Sequence, residues 1–311
     1  MDIYLAKTQG FCAGVSFAID IVDRALEQYG PPLYVYHEIV HNTYVVNEFR
    51  QKGAIFVEDV NEVPEGSRII FSAHGVPPAV VQDARKRKLR FVDATCPLVT
   101  KVHNEASKFS QKHYETVLIG HRGHQELKGT AGYVDPEYLH IVEDESDIEN
   151  LDIAPQATVA VVTQTTLSVD ETTQMIRKLK EKYPQMQAPP RSDLCYATQN
   201  RQDAVKELAS FCDCIIICGS PNSSNSNRLR ETGEKGGCES YIIDNADELD
   251  FNVLKGKRKV GISSGASVPR VIVDELIGRI NEHFPNSKVH AFENPEKNIV
   301  FALPEIENAL K

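Results

Sequence analysis

Three cysteines, Cys12, Cys96 and Cys195, stand 84 and 99 residues apart, so no short ligand motif joins them. Each nevertheless opens the same kind of segment. Apolar residues follow at helical spacing: Val15, Ile19, Val22 and Leu26; then Val99, Val102, Ala106 and Phe109; then Val205, Leu208 and Phe211. A strand-like run comes next, at 33–36, 116–119 and 214–218. A polar loop then begins at His37, His121 and Ser220, in each case 25 residues past the cysteine. A lone cysteine at a helix start is ordinarily a small buried hydrophobe. Three at equivalent repeat positions point to a shared ligand instead. A [4Fe–4S] cluster commonly takes four thiolates, so three would leave one iron open as a Lewis acid that can also pass electrons. Cys212, Cys214, Cys218 and Cys238 have no counterparts in the other segments, and Cys214 and Cys218 read as packing on one face of a strand.

The polar loops come in pairs. His37-Glu38-Ile39-Val40-His41-Asn42 has a companion at Ser72-Ala73-His74-Gly75, and His121 through Glu126 has one at Thr163-Gln164-Thr165-Thr166. Asn222 through Asn227 is matched by Ser263 through Ser267. Neutral donors between a strand end and a helix start suit phosphate, which takes backbone N–H groups and the positive end of the helix dipole. Runs of Asn and Ser are also ordinary turn and cap residues. Convergence in three segments favours a diphosphate pocket. Glu126, two residues past His124 in a loop rich in donors, is the candidate proton donor, and an extended loop would point both side chains the same way.

Elements that hold such loops are strands alternating with helices, such as those expected at 170–182 and 270–283. That alternation predicts an α/β fold with parallel sheets and with ligands at the carboxyl ends of the strands. We read three small parallel-sheet α/β domains, 1–96, 97–194 and 195–311 with a C-terminal tail, in a pseudo-threefold trefoil around a central iron–sulfur site. Only Gln187-Ala188-Pro189-Pro190 resembles a linker. Hydrophobic residues make up 41% and charged ones 25%, with a net charge of −10, which argues against a general nucleic-acid or anionic-membrane binder. The N-terminus has no basic-then-apolar signal pattern, and no apolar run approaches the roughly 18 residues of a membrane span. A cytoplasmic location is expected, where seven cysteines serve as thiols or ligands rather than as a disulfide framework.

These motifs resemble those of the 4-hydroxy-3-methylbut-2-enyl diphosphate reductases. The likeness is carried by Gly10-Phe11-Cys12-Ala13-Gly14-Val15, the two histidine loops at 37–42 and 72–77, Asp93-Ala94-Thr95-Cys96-Pro97 and 120–126. It continues through 163–168, Cys195-Tyr196-Ala197-Thr198, 219–227 and Gly265-Ala266-Ser267, nearly the whole chain in order. The resemblance implies a [4Fe–4S] cluster on Cys12, Cys96 and Cys195. It implies a diphosphate pocket of His41, His74, His124, Ser223, Ser224, Asn225 and Ser267, with Thr165 and Glu126 at the substrate hydroxyl. The implied reaction removes that hydroxyl reductively and yields isopentenyl and dimethylallyl diphosphate, with electrons from a protein such as ferredoxin or flavodoxin. Three departures from the family pattern stand out. Gln125 replaces a proline, Lys7-Thr8-Gln9 replaces an Asn-Pro-Arg-like lead-in, and Ser264 stands where alanine is commoner. Two other readings compete. A zinc hydrolase would use the histidine-rich loops. A non-catalytic iron–sulfur sensor would leave the phosphate-type loops without a role.

Overall fold

Strands and helices alternate through the whole of the computed structural model, which describes residues 1–188, 192–291 and 299–310. Pro189 and Pro190 of the linker-like stretch lie outside these residues. The first third runs β1 (Asp2–Leu5), α1 (Ala13–Tyr29), β2 (Leu33–Tyr36), α2 (Thr43–Gln51), β3 (Ala54–Val57), β4 (Arg68–Phe71), α3 (Pro78–Lys86) and β5 (Arg90–Asp93). Next come α4 (Pro97–Gln111), β6 (Glu115–Ile119), α5 (Gln125–Ala131), β7 (Leu139–Val142), α6 (Glu145–Glu149), β8 (Val159–Thr163) and α7 (Val169–Lys182). The last third holds α8 (Tyr196–Ala209), β9 (Cys214–Cys218), α9 (Ser224–Lys235), β10 (Glu239–Ile243), β11 (Lys259–Ser264), α10 (Arg270–His283), β12 (Lys288–His290) and α11 (Ile306–Leu310).

The strands form three wholly parallel sheets, ordered β3-β2-β4-β5, β7-β6-β8 and β10-β9-β11-β1-β12. Parallel strands are covered on both faces, so they read as continuous apolar runs. Cys214-Ile215-Ile216-Ile217-Cys218 is buried at every position. Cys214, Ile216 and Cys218 enter the core beneath α10, while Ile215 and Ile217 enter the core beneath α8 and α9. One strand therefore serves two cores, by the period-two alternation of its side chains. The helices present one apolar stripe each; α1 buries Val15, Ala18, Ile21, Val22 and Ala25 and leaves Arg24 and Glu27 in solvent. A fully buried Ile or Val contributes about 1.5–3 kcal/mol relative to exposure.

Register explains why the polar loops come in pairs. Tyr36 lies beside Phe71, Ile119 beside Thr163 and Cys218 beside Ser264. Companion loops therefore leave neighbouring strands at the same, carboxyl, edge of each sheet.

Strand β1 is an exception to the chain order. It pairs with β11 and β12, although it belongs to the first 96 residues. By compactness the chain divides into two units. One holds Met1–Val15, His41–Asn47 and Tyr196–Val300; the other holds Ser16–Val40, Glu48–Cys195 and Phe301–Lys311.

Candidate active site

In the unit that contains β6 and β8, the candidate site is built around a buried carboxyl group. Glu126 is 3% exposed. Its Oε1 accepts the Thr165 N–H at 2.6 Å, and its Oε2 accepts the Thr165 hydroxyl at 3.0 Å. Burial pushes its pKa up from 4.5 to about 7; the Thr165 donors oppose that rise and the negative charge of Asp193 adds to it. Burial wins because a carboxylate loses far more in leaving water than two hydrogen bonds return.

Glu126 is not in an extended loop. His124 is the N-cap of α5, with its Nδ1 accepting the Glu126 N–H at 3.1 Å, and Glu126 sits in the first helical turn. The cap has two consequences. A ring nitrogen that accepts is unprotonated, so a neutral His124 carries its proton on Nε2. The cap also puts Glu126 at the positive end of a helix, where a negative charge is tolerated best. The rings of His124 and His74 meet edge to face with centroids 5.9 Å apart, so two of the expected phosphate groups are neighbours.

The backbone around these groups is tightly packed. Gly75, at φ +81°, follows His74, and a side chain there would run into His103 Cε1 at 2.4 Å. Gly129, one turn along α5, has the Gly75 carbonyl 3.1 Å from where its Cβ would be. His103 is 4% exposed, stacks on Tyr133 at 4.3 Å and has no partner for Nε2 among the described residues; burial brings its pKa down to about 4, so it packs as a neutral ring.

Cys96 and Cys195 belong to the same unit. Cys96 is the N-cap of α4, its N–H donating to the Ala73 carbonyl at 3.0 Å, with Pro97 setting the first helical φ. The Cys195 N–H donates to the Thr165 carbonyl at 3.2 Å, so Thr165 joins Cys195 on one side to Glu126 on the other.

The other unit carries Cys12, His41 and the serine-asparagine loop. Cys12 stands just ahead of α1, and its N–H donates to the Ala266 carbonyl at 3.1 Å. The Ala13 N–H donates to the Tyr196 hydroxyl at 3.2 Å, which ties the first turn of α1 to the first turn of α8. Arg201, fully buried, donates to the Gly10 carbonyl at 2.8 Å and to the Ala197 carbonyl at 3.1 Å. The Ser267 hydroxyl donates to the His41 carbonyl at 2.9 Å, and the Thr43 N–H donates to the Ser220 hydroxyl at 3.1 Å. His41, Ser267 and the third loop are thus brought together.

Ser223 caps α9 by accepting the Ser226 N–H at 3.3 Å, so the first N–H groups of this helix form the kind of terminus that binds anions. Asn225 is 6% exposed, and neither its Oδ1 nor its Nδ2 has a partner among the described residues. A buried amide left unpaired costs about 1–3 kcal/mol. It fits a residue waiting for a ligand. Ser226 fills the space beside Gly219 and Gly265, where a Cβ would meet its hydroxyl at 2.2 and 2.1 Å, so both strand ends need glycine to let the helix approach.

The donor chemistry suits a thiolate-bound group. Cys12, Cys96 and Cys195 are reduced thiols, half-buried, each at the head of a helix. Cys214, Cys218 and Cys238 are buried, and burial pushes Cys212, Cys214 and Cys218 up to about 12, so these four are held as protonated packing thiols. Among the described residues no three His, Cys, Asp or Glu side chains are gathered as a single metal ion needs. The thiolates of a cluster bind separate irons and stand further apart.

Sequence reasoning gave no role to Asp193 or Arg201, and quoted Gln164 and Tyr196 only as parts of motifs. Gln164 accepts the His121 N–H at 3.1 Å and donates to the Thr166 hydroxyl at 3.0 Å, which shapes both loops. Arg201 did leave a signal, since it interrupts the buried stripe of Ala197, Ala204, Val205 and Leu208 on α8.

The chain is similar to known proteins along nearly its whole length. The LytB protein family matches residues 3–281. The 4-hydroxy-3-methylbut-2-enyl diphosphate reductase of Acinetobacter baylyi is 50% identical over 308 residues, covering 98% of this chain and 97% of its own. That of Pseudomonas aeruginosa is 50% identical, covering 98% of each. The solved E-1-hydroxy-2-methyl-but-2-enyl-4-diphosphate reductase from Plasmodium falciparum is 37% identical with a TM-score of 0.95, over 99% of this chain and 96% of that one. Half-identical relatives of nearly equal extent and a family match across most of its length show that the chain belongs to the LytB protein family.

Proposed function

We propose that this chain is a reductase that converts (E)-4-hydroxy-3-methylbut-2-enyl diphosphate to isopentenyl and dimethylallyl diphosphate, the last step of the methylerythritol phosphate route. The observation that carries this reading is Glu126, a buried carboxyl at the carboxyl ends of β6 and β8, locked to Thr165 and held near a pKa of about 7. Removing a hydroxyl as water requires a proton at that oxygen, and a carboxyl half-protonated near neutrality is matched to deliver it.

Cys12, Cys96 and Cys195 would hold a [4Fe–4S] cluster, which when bound supplies electrons and one Lewis-acid iron without a thiolate. The diphosphate would be taken by the amides at the start of α9, by Ser223, Ser224, Asn225 and Ser267, and by His41, His74 and His124. With Nδ1 accepting the Glu126 N–H, the neutral His124 ring would donate to the diphosphate through Nε2. Thr165 orients the carboxyl and offers its hydroxyl to the substrate's own. Gripping the diphosphate at one end and the hydroxyl at the other fixes the allylic carbons between them. Electrons would come from an iron–sulfur or flavin carrier protein such as ferredoxin or flavodoxin. A reducing cytoplasm suits free thiols. No helix among the described residues is long and apolar enough to cross a membrane.

The test is anaerobic turnover of the hydroxylated diphosphate with a low-potential reductant, with products separated by mass spectrometry. Two isomeric C5 diphosphates are expected. Release of inorganic phosphate with no loss of the hydroxyl would favour a zinc hydrolase instead.

A further inference from the structure

Asp193 has no solvent exposure at its side chain and lies two residues ahead of Cys195. Its Oδ1 is 3.1 Å from Lys101 Nζ, and its Oδ2 accepts the Thr163 N–H at 3.1 Å. Lys101 also stands 3.7 Å from Glu105, one turn further along α4. The Lys101 side chain is 35% exposed, so the pair is half-buried; desolvation of the Asp193 carboxylate offsets much of the attraction, and removing Lys101 would leave that carboxylate buried without its cation. What this pair fixes can be read from its neighbours. Lys101 is on the helix headed by Cys96, and Thr163 ends β8 two residues before Thr165. The Cys195 N–H then bonds the Thr165 carbonyl, and Thr165 bonds Glu126. One half-buried pair therefore stands where the Cys96 helix, the Cys195 segment and the strand end leading to Thr165 meet.

We propose that Lys101 and Asp193 are positioning residues that clamp the Cys195 segment to β8 and to the Cys96 helix, keeping both Thr165 donors aimed at Glu126. Neither residue touches substrate. The consequence for turnover rests on the function proposed above, whereas the clamp itself does not.

Amide hydrogen exchange on the iron-free, full-length chain reads the two bonds directly. Asp193→Asn and Lys101→Met should each speed exchange at the Thr165 and Cys195 amides about tenfold or more. Lys101→Arg, which keeps the charge, should hold both within about threefold of the parent. Lys178→Met, which breaks the half-exposed Lys178–Glu145 pair elsewhere in this unit, should leave them unchanged. In iron-loaded enzyme the two disrupting substitutions should lower kcat about tenfold while KM stays within about twofold, because the phosphate-binding groups are untouched. Unchanged amide exchange in Lys101→Met overturns the proposal, and this variant serves if Asp193→Asn does not fold. Faster exchange with an unaltered kcat overturns it too, since the pair would then position nothing that reacts. A parent chain without reductase activity would count against the proposed function alone.

Discussion

At the scale of single residues the account turns on Glu126. Its pKa rises from 4.5 to about 7, so the folded chain holds a proton that the unfolded chain has already lost across that interval. Stability from this group is therefore present below about pH 4.5 and is lost as pH rises toward 7. The acid form that donates the proton is itself lost only as pH passes about 7, so kcat should fall as pH climbs through that value. Glu126→Gln keeps the shape and one acceptor but has no proton to give. Its kcat should drop about 10²–10⁴-fold, with KM little changed and the pH dependence near 7 abolished. A pH–rate profile of parent and variant under anaerobic conditions checks both statements. Glu126 stood out in the sequence as a candidate by its place among donors. Its burial was not legible there, because nothing in His121 through Glu126 says that α5 begins at Gln125 and turns the carboxyl inward.

At the level of elements, the start of α5 accommodates one departure from the family pattern. Gln125 occupies the first position of α5, where proline's fixed φ and missing N–H cost nothing. His124 before it has φ −77° and ψ 139°, the extended backbone that a following proline demands. Gln125→Pro should therefore stabilise the chain by about 0.4–1 kcal/mol, as urea unfolding would show, and leave turnover unaltered. The junction behind α5 makes the opposite kind of prediction. His103 is wedged against Gly75, next to Gly129, as a neutral ring; its pKa falls from 6.5 to about 4. Below pH 6.5 the unfolded chain takes up a proton that the folded chain refuses, so stability is lost as pH falls toward 4. The loss reaches about 3 kcal/mol at most. His103→Gln should flatten the dependence of urea stability on pH in that window. Helix and strand positions were largely legible: 33–36, 214–218 and 270–283 coincide with β2, β9 and α10. Asp193 was not, because a lone Asp in Ser192-Asp193-Leu194 looks like any loop residue until Lys101, 92 positions away, is seen beside it.

Across the whole molecule, the repeat of cysteine, helix, strand and polar loop was the strongest signal, because each part has its own local cause. The allocation of strands to sheets had no such cause. Ile3-Tyr4-Leu5 is a short apolar run that could pair anywhere, and only long-range register puts it beside Val260, Gly261 and Ile262. The seven cysteines divide by surroundings into three half-buried helix heads and a group about β9 and β10 in which burial suppresses ionisation. The claim on which everything rests is that the first three hold a cluster. Iron and acid-labile sulfide, measured per chain after anaerobic purification, test it most directly. The parent should hold about four of each. Cys12→Ser, Cys96→Ser and Cys195→Ser should each lose most of both, and Cys214→Ser should keep them. A parent that holds about one zinc and no sulfide, or a Cys195→Ser variant with undiminished iron and sulfide, would contradict it.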